Sequence, residues 1–567
     1  MRRPLLTLLA PLALLCACAS PPHDASVAGL EAGVSDHSPY GLFLAGEGAL
    51  NDGRTDEAAR YFDRARGSLG DQPALAERAF VATLLSGDVT RAVSMAPTSE
   101  ETTEQMTRLS RLVRAAEAIA QGKGKEAQAI LSTPIGFPHA AGAALLSPWA
   151  AAMTGDVDGS LVRPEAGDDK LVGYFGQLGQ AELFERAKRY DEAETDFKAL
   201  TASDTPADMM VLAYGEFLER RGRRAEALTL YDPALVRDPD DVLLKVARAR
   251  AAAGKPAPPM GTLREGAAQS LLAPAATLLA ARQEQLGMAY LRLVLRLDPK
   301  RDEAWVMVGD LLASTDDMEG ARNAYGQPKL GSSEYAASQA KLAWTYQNEK
   351  KPEIAIEMAR KAAAGGDADA RLTLADLLRV NEQFAESAQL LSGLIAEAPK
   401  PDWRLLYARG IAYERMGEWV KGEADLRAAM ALRPEEPELL NYLGYSLIDR
   451  GEDLPDALLM VEKAVAANPR SGAMIDSLGW AHYRLGHYPK AVELLEDAIE
   501  LEAGDPEVNN HLGDAYWRVG RRDEAVFQWR RVLTLDPPEK IKLDAEAKLK
   551  NGLGAAGPAS APKVAAQ

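Results

Sequence analysis

The hydrophobic and polar positions between Pro437 and Pro537 repeat three times, as PELLNYLGYSLIDRGEDLPDALLMVEKAVAANP, RSGAMIDSLGWAHYRLGHYPKAVELLEDAIELEAGD and PEVNNHLGDAYWRVGRRDEAVFQWRRVLTLDP. Overlaid, they align Gly444, Gly479 and Gly513, and also Ala457, Ala491 and Ala525; the alanine step is 34 both times and the glycine step 35, then 34. A bulky residue, Val461, Leu495 or Trp529, follows each alanine by four. The pattern predicts two antiparallel helices per unit. Small residues sit where the helices cross, and the bulky residue one turn on fills the wedge between them. Ala464 and Ala498 let the next unit stack closely, and Pro469 and Pro537 end the second helix, since proline cannot continue one.

A period of 34 with L-G early, alanine about twelve residues after glycine and proline at the end resembles the tetratricopeptide signature. The resemblance implies an all-α superhelical solenoid of about 11–13 helical hairpins. The register can be followed upstream. Ala58 and Ala92 are 34 apart and Ala127 follows 35 later; Ala193 with Phe197, Ala227 with Tyr231, Ala321 with Tyr325, and Ala355 mark further units. Two stretches break it: an irregular unit near 132–170, holding Pro134, Pro138, Pro148 and Pro164, and a Pro/Gly-rich interruption at 251–266. The expected layout is thus an N-terminal array over 38–250, the interruption, a C-terminal array over 267–536, a capping helix at 537–553 and a disordered tail at 554–567.

The first residues change the picture. MRRPLLTLLAPLALLCACAS has two arginines and then an apolar run of about a dozen residues, too short to span a membrane and suited to a signal peptide over 1–17. Leu15-Cys16-Ala17-Cys18 resembles the bacterial lipobox, with small Ala17 before Cys18 as the acylated residue; Leu15 is too large to precede a lipidated Cys16. Ala19 in place of Asp implies, in that family, the outer membrane, with residues 18–37 as a lipidated flexible tether on the periplasmic face. Both cysteines lie in this segment, so the mature chain has no internal disulfide and depends on helix packing. Net charge is −18 and no basic stripe relieves it, which argues against nucleic acid as a partner.

No H-E-x-x-H, G-x-S-x-G or phosphate-loop motif occurs, and the six histidines lack paired metal-ligand spacing. His482, His487 and His511 read as turn and packing residues. The expectation is a non-enzymatic protein with no cofactor and no metal site. By the tetratricopeptide resemblance, the first helix of each hairpin lines an inner groove, which makes Tyr407, Asn441, Tyr445, Asp476, Trp480, Tyr483, Arg484, Asn510, Asp514, Trp517 and Arg518 the candidate partner-binding residues. Aromatic bodies beside amide and guanidinium donors suit an extended peptide, whose side chains and backbone need both. The alternative is that Trp480 and Trp517 pack between repeats.

A lipobox, a tether and an array ending in NYLGYSLIDRG and SLGWAHYRLGHYPKAVELLEDAI together resemble the Gram-negative outer-membrane tetratricopeptide lipoproteins that serve carboxyl-terminal processing proteases. That resemblance implies a scaffold or adaptor. Its partners would be a periplasmic serine protease, which it activates, and substrates such as peptidoglycan hydrolases, which it delivers. A lipoprotein scaffold for an envelope assembly or secretion machine, such as a pilus or an exopolysaccharide complex, is the alternative.

Overall fold

The computed structural model describes residues 38–554, apart from 70–71, 98–100, 166, 168, 239–240 and 399. The signal segment, Cys18, the tether and residues 555–567 of the tail lie outside the described residues. Among those described there are helices and turns and no strand.

The first eight helices are α1 (Pro39–Asn51), α2 (Thr55–Leu69), α3 (Pro73–Ser86), α4 (Val89–Met95), α5 (Glu104–Ala120), α6 (Gly124–Leu131), α7 (Ala140–Thr154) and α8 (Val157–Ser160). Then come α9 (Lys170–Arg186), α10 (Tyr190–Leu200), α11 (Asp208–Arg220), α12 (Arg224–Arg237), α13 (Val242–Ala252), α14 (Leu263–Ala280) and α15 (Glu284–Leu297). They are followed by α16 (Asp302–Ser314), α17 (Met318–Tyr325), α18 (Tyr335–Asn348), α19 (Pro352–Ala363), α20 (Ala368–Val380), α21 (Phe384–Glu397), α22 (Trp403–Arg415) and α23 (Trp419–Leu432). The last are α24 (Pro437–Arg450), α25 (Leu454–Ala467), α26 (Gly472–Arg484), α27 (Tyr488–Leu501), α28 (Pro506–Arg518), α29 (Arg522–Val532) and α30 (Glu539–Asn551).

Successive helices pack as hairpins, and the small-residue pattern explains why. A Cβ built on Gly215 in α11 would lie 2.2 Å from the Tyr231 ring of α12, and one on Gly513 in α28 would lie 2.5 Å from Trp529 Nε1 of α29. Only glycine admits these rings, and both are fully buried. Ala457, Ala491 and Ala525 have no exposed surface, as the crossing requires.

The described residues divide into two compact units, 38–370 and 371–554. The division expected at 251–266 is not where the units part, and the packing of α14 and α15 gives the reason. After α13 the chain turns at Gly254 and runs without regular structure to Thr262, which caps α14 through a reciprocal bond with Glu265. The α14–α15 hairpin then returns across the earlier helices, packing on α3, α5, α7 and α9. Trp149 of α7 lies where a Cβ on Gly266 would be, at 2.2 Å, and Tyr290 of α15 lies 2.8 Å from the equivalent point on Gly142. One hydrophobic core consequently joins residues from Leu42 to Leu342, while α9 to α13 hold a smaller core around Phe197, Phe217 and Tyr231. The inner face of the first hairpins is therefore filled by the chain itself.

Three polar contacts lock this return. Arg296 of α15 donates from Nε and Nη2 to Glu117 of α5 at 2.7 and 3.0 Å, and Arg292 Nε donates to the Leu85 carbonyl at 2.8 Å. The Tyr290 hydroxyl lies 3.2 Å from His139 Nδ1, and burial, with Arg108 nearby, pushes that imidazole down to about 4.

Candidate protein-binding face

In the unit formed by 371–554, α22, α24, α26 and α28 are the first helices of their hairpins, and α24 also touches α26 and α26 touches α28. Their shared face carries the candidate residues. Tyr407 of α22 meets Tyr442 edge-on at 5.7 Å, and burial pushes its hydroxyl well above the usual phenol range. Tyr445 of α24 donates to Glu507 of α28 at 2.6 Å, two hairpins away.

Asp476 of α26 accepts from His511 Nδ1 of α28, 3.0 Å from both carboxylate oxygens, with both side chains buried. Burial opposes a charge on His511, but Asp476, with Glu507 and Asp514 beyond, overrides it and raises the imidazole to about 9. Trp480 stacks on the His511 ring at 4.0 Å and on Tyr483 at 4.6 Å, so the indole lies between the two. Arg484 takes no part in this stack; its guanidinium donates to the Asp449 carbonyl at 2.6 Å, tying the end of α26 to the end of α24.

Four candidates expected to line the inner groove meet α30 and the two residues that follow Gly552. Asn510 donates to Asp544 at 2.9 Å and accepts from Lys548 at 3.1 Å, both residues of α30. Asp514 pairs with Lys548 at 2.8 Å and accepts from Trp529 Nε1 at 3.0 Å. Trp517 Nε1 donates to the Leu553 carbonyl at 3.2 Å, and Arg518 donates to the Tyr483 hydroxyl at 3.2 Å and the Gly554 carbonyl at 2.7 Å. A terminal helix that must cover a polar repeat face does so with its own charges, and Lys548 is the buried charge that results.

Two candidates keep unspent polar atoms. Asn441 Oδ1 and Trp480 Nε1 are buried with no hydrogen-bond partner, and so is Trp403 Nε1 at the start of α22. Buried polar atoms are ordinarily paired, so these three are exceptions within this face. His511, Glu507, Lys548 and Asp544 belong to the face but were not among the candidates. His511 stands one position after Asn510, so it was open to selection by position; Lys548 sits among the many charges of α30 and carries no sequence signal.

His482 and His487 bring their Nδ1 atoms to 3.2 Å at the turn between α26 and α27, away from these contacts. Among the described residues Asp208, Asp238 and Asp241 are the one acidic group close enough to share an ion, and Asp208 is already paired with Arg237. No described helix is long and apolar enough to cross a membrane.

Stacked two-helix hairpins with glycine and alanine at each crossing define a helical-repeat scaffold. Tetratricopeptide-repeat family models match residues 263–536 and 178–257, together more than half of the chain, which belongs to the tetratricopeptide-repeat proteins. It is 34% identical over 140 residues to the TPR repeat-containing protein PA4667 of Pseudomonas aeruginosa, a stretch that is 25% of this chain and 23% of that protein. Among solved structures, the Cut9–Hcn1 hetero-tetramer of the APC/C is similar at a TM-score of 0.40 and 16% identity, covering 91% of this chain and 97% of that one. A tetratricopeptide repeat protein from Parabacteroides merdae is similar at 0.37 and 12% identity, covering 44% and 97%. Repeats of this class bind other proteins, and the chain is a protein-interaction scaffold.

Proposed function

We propose that this protein is a non-enzymatic scaffold, lipid-anchored through Cys18 at the periplasmic face of the outer membrane. It binds and activates a periplasmic carboxyl-terminal processing serine protease and brings that protease its substrates, peptidoglycan hydrolases among them. The observation that supports a peptide-binding role is the face of α22 to α26, where aromatic rings alternate with buried polar atoms that have no partner, Asn441 Oδ1 and Trp480 Nε1. Such a face gains hydrogen bonds when an extended backbone reaches it. The lipobox-like Leu15–Cys18 and the family resemblance of the last repeats support the location and the partner.

The test is capture from periplasmic extract with the mature chain, followed by assay of any recovered protease with and without it. Recovery of a serine protease whose turnover of a hydrolase rises on addition of the scaffold is the expected result. Recovery of secretion or envelope-assembly components without a protease would replace this reading with the assembly-scaffold one.

A further inference from the structure

The chain leaves α30 through Gly552, whose φ of +68° and ψ of 179° suit glycine alone. A Cβ there would also fall 2.3 Å from the Trp517 indole. The next two residues turn their backbone toward α28. The Leu553 carbonyl accepts from Trp517 Nε1 and the Gly554 carbonyl from Arg518 Nη1, while the Leu553 side chain joins the apolar cluster that includes Tyr483, Trp517 and Val526. Successive carbonyls on fixed side-chain donors, with one apolar side chain seated between them, is how a helical groove holds an extended peptide.

Beyond Tyr483, one ring along the stack, Trp480 keeps its Nε1 buried without an acceptor. The strap thus satisfies the donors at one end and leaves the next one unmet.

We propose that the Trp517–Arg518 edge of α28, with Tyr483, is a docking site for an extended peptide of small and apolar residues, and that Gly552–Gly554 of this chain is its resident occupant. A partner peptide that runs from Trp480 onto this edge has to displace the strap. The strap is a tethered competitor at millimolar effective concentration, so weak free peptides are excluded and partners able to occupy Trp480 and Asn441 as well are admitted. This rests on the peptide-binding role proposed above.

The experiment uses the full-length chain and a fluorescein-labelled peptide of residues 552–567, with binding read by anisotropy. Wild type should bind this peptide weakly, because the tethered copy holds the site. Gly552→Ala keeps every residue of α30 but strains and displaces the strap, and should tighten peptide binding by about tenfold. Adding Arg518→Ala should abolish that gain. Equal affinity of wild type and Gly552→Ala, or a gain that survives Arg518→Ala, overturns the proposal; far-ultraviolet circular dichroism confirms that each variant keeps its helices. Failure here alongside successful protease capture would mean that the partner uses another face, whereas peptide binding without protease capture would leave the strap standing and remove the protease.

Discussion

Breaking the Glu117–Arg296 pair tests whether the N-terminal inner face is filled by α14 and α15. Glu117 is 3% exposed and accepts from Thr90 at 2.9 Å and Gln121 at 2.6 Å as well as from Arg296. Burial would raise its carboxyl, yet these donors, Arg296 foremost, hold it below the ordinary range. Removing one member of a buried pair costs about 3–5 kcal/mol, because the other charge stays behind. The Arg296 side chain is 31% exposed and Glu117 keeps two neutral donors, so Arg296→Met belongs at the low end, about 3 kcal/mol. Glu117→Leu with Arg296→Met removes both charges and should cost less than the sum of the single changes, with a coupling of about 1–2 kcal/mol. A repeat array does not unfold as one unit, so the assay is local: hydrogen exchange of peptides from α5 and α15. A 3 kcal/mol loss speeds exchange about 100-fold in both segments. If Arg296→Met loosens α15 while α5 exchanges as in wild type, the two helices do not support each other and the filled face is refuted.

Two buried groups make stability depend on pH. His511, raised to about 9 by Asp476 against the opposing effect of burial, stabilises its unit fully below the unfolded value near 6.5; that contribution, at most about 3 kcal/mol, is lost as pH climbs through 9. Melting of this unit, followed by exchange in α26 and α28, should fall across that window in wild type; in His511→Gln the fall moves to lower pH, where buried Asp476, raised by burial and no longer held down by His511, loses its proton, and a wild type flat between 6.5 and about 9 would refute the imidazolium. Glu182, in a cavity with Trp149, Phe175, Leu178 and Gly266, is raised to about 7 by burial in spite of Arg220, Arg186 and Arg301, with Glu185 adding to the rise. A carboxyl raised on folding contributes stability at acid pH that is lost as pH rises from about 4.5 through 7. Glu182→Gln should therefore stabilise the helices around this cavity above pH 7 by about 2 kcal/mol, allowing for partial exposure, and remove the pH slope from hydrogen exchange of α9 and α14.

The hairpins were legible because their rule is local and steric. A glycine such as Gly215 or Gly513 and its ring, Tyr231 or Trp529, lie about one repeat half apart, and the same clash recurs every repeat. The return of α14 and α15 was not legible, since Glu117 and Arg296 are separated by 179 positions and no period links them. Only the Pro/Gly-rich stretch before Leu263 hinted that the chain changes direction there. The candidate positions on the first helices came from the tetratricopeptide resemblance, and the structure puts α24, α26 and α28, which carry most of them, in contact. What each residue does there was not legible, because Tyr445 answers to Glu507 and Asp514 to Lys548, partners set by stacking and by the terminal helix.

These two self-contacts bear on where a partner can bind. The inner face of α3, α5 and α7 is closed by a core that runs from Leu42 to Leu342, so a peptide there would have to displace Trp149 and Tyr290 from glycine-sized clefts. The edge of α28 is covered by backbone alone, two carbonyls and one leucine, which a competing backbone can replace bond for bond. Between them in kind lies the stretch of α22 to α26, where Trp403 Nε1, Asn441 Oδ1 and Trp480 Nε1 have nothing to release before they bind. A ligand should therefore gain first at those atoms, and replacing Asn441 and Trp480 should weaken partner binding more than replacing Trp517, whose donor is already satisfied.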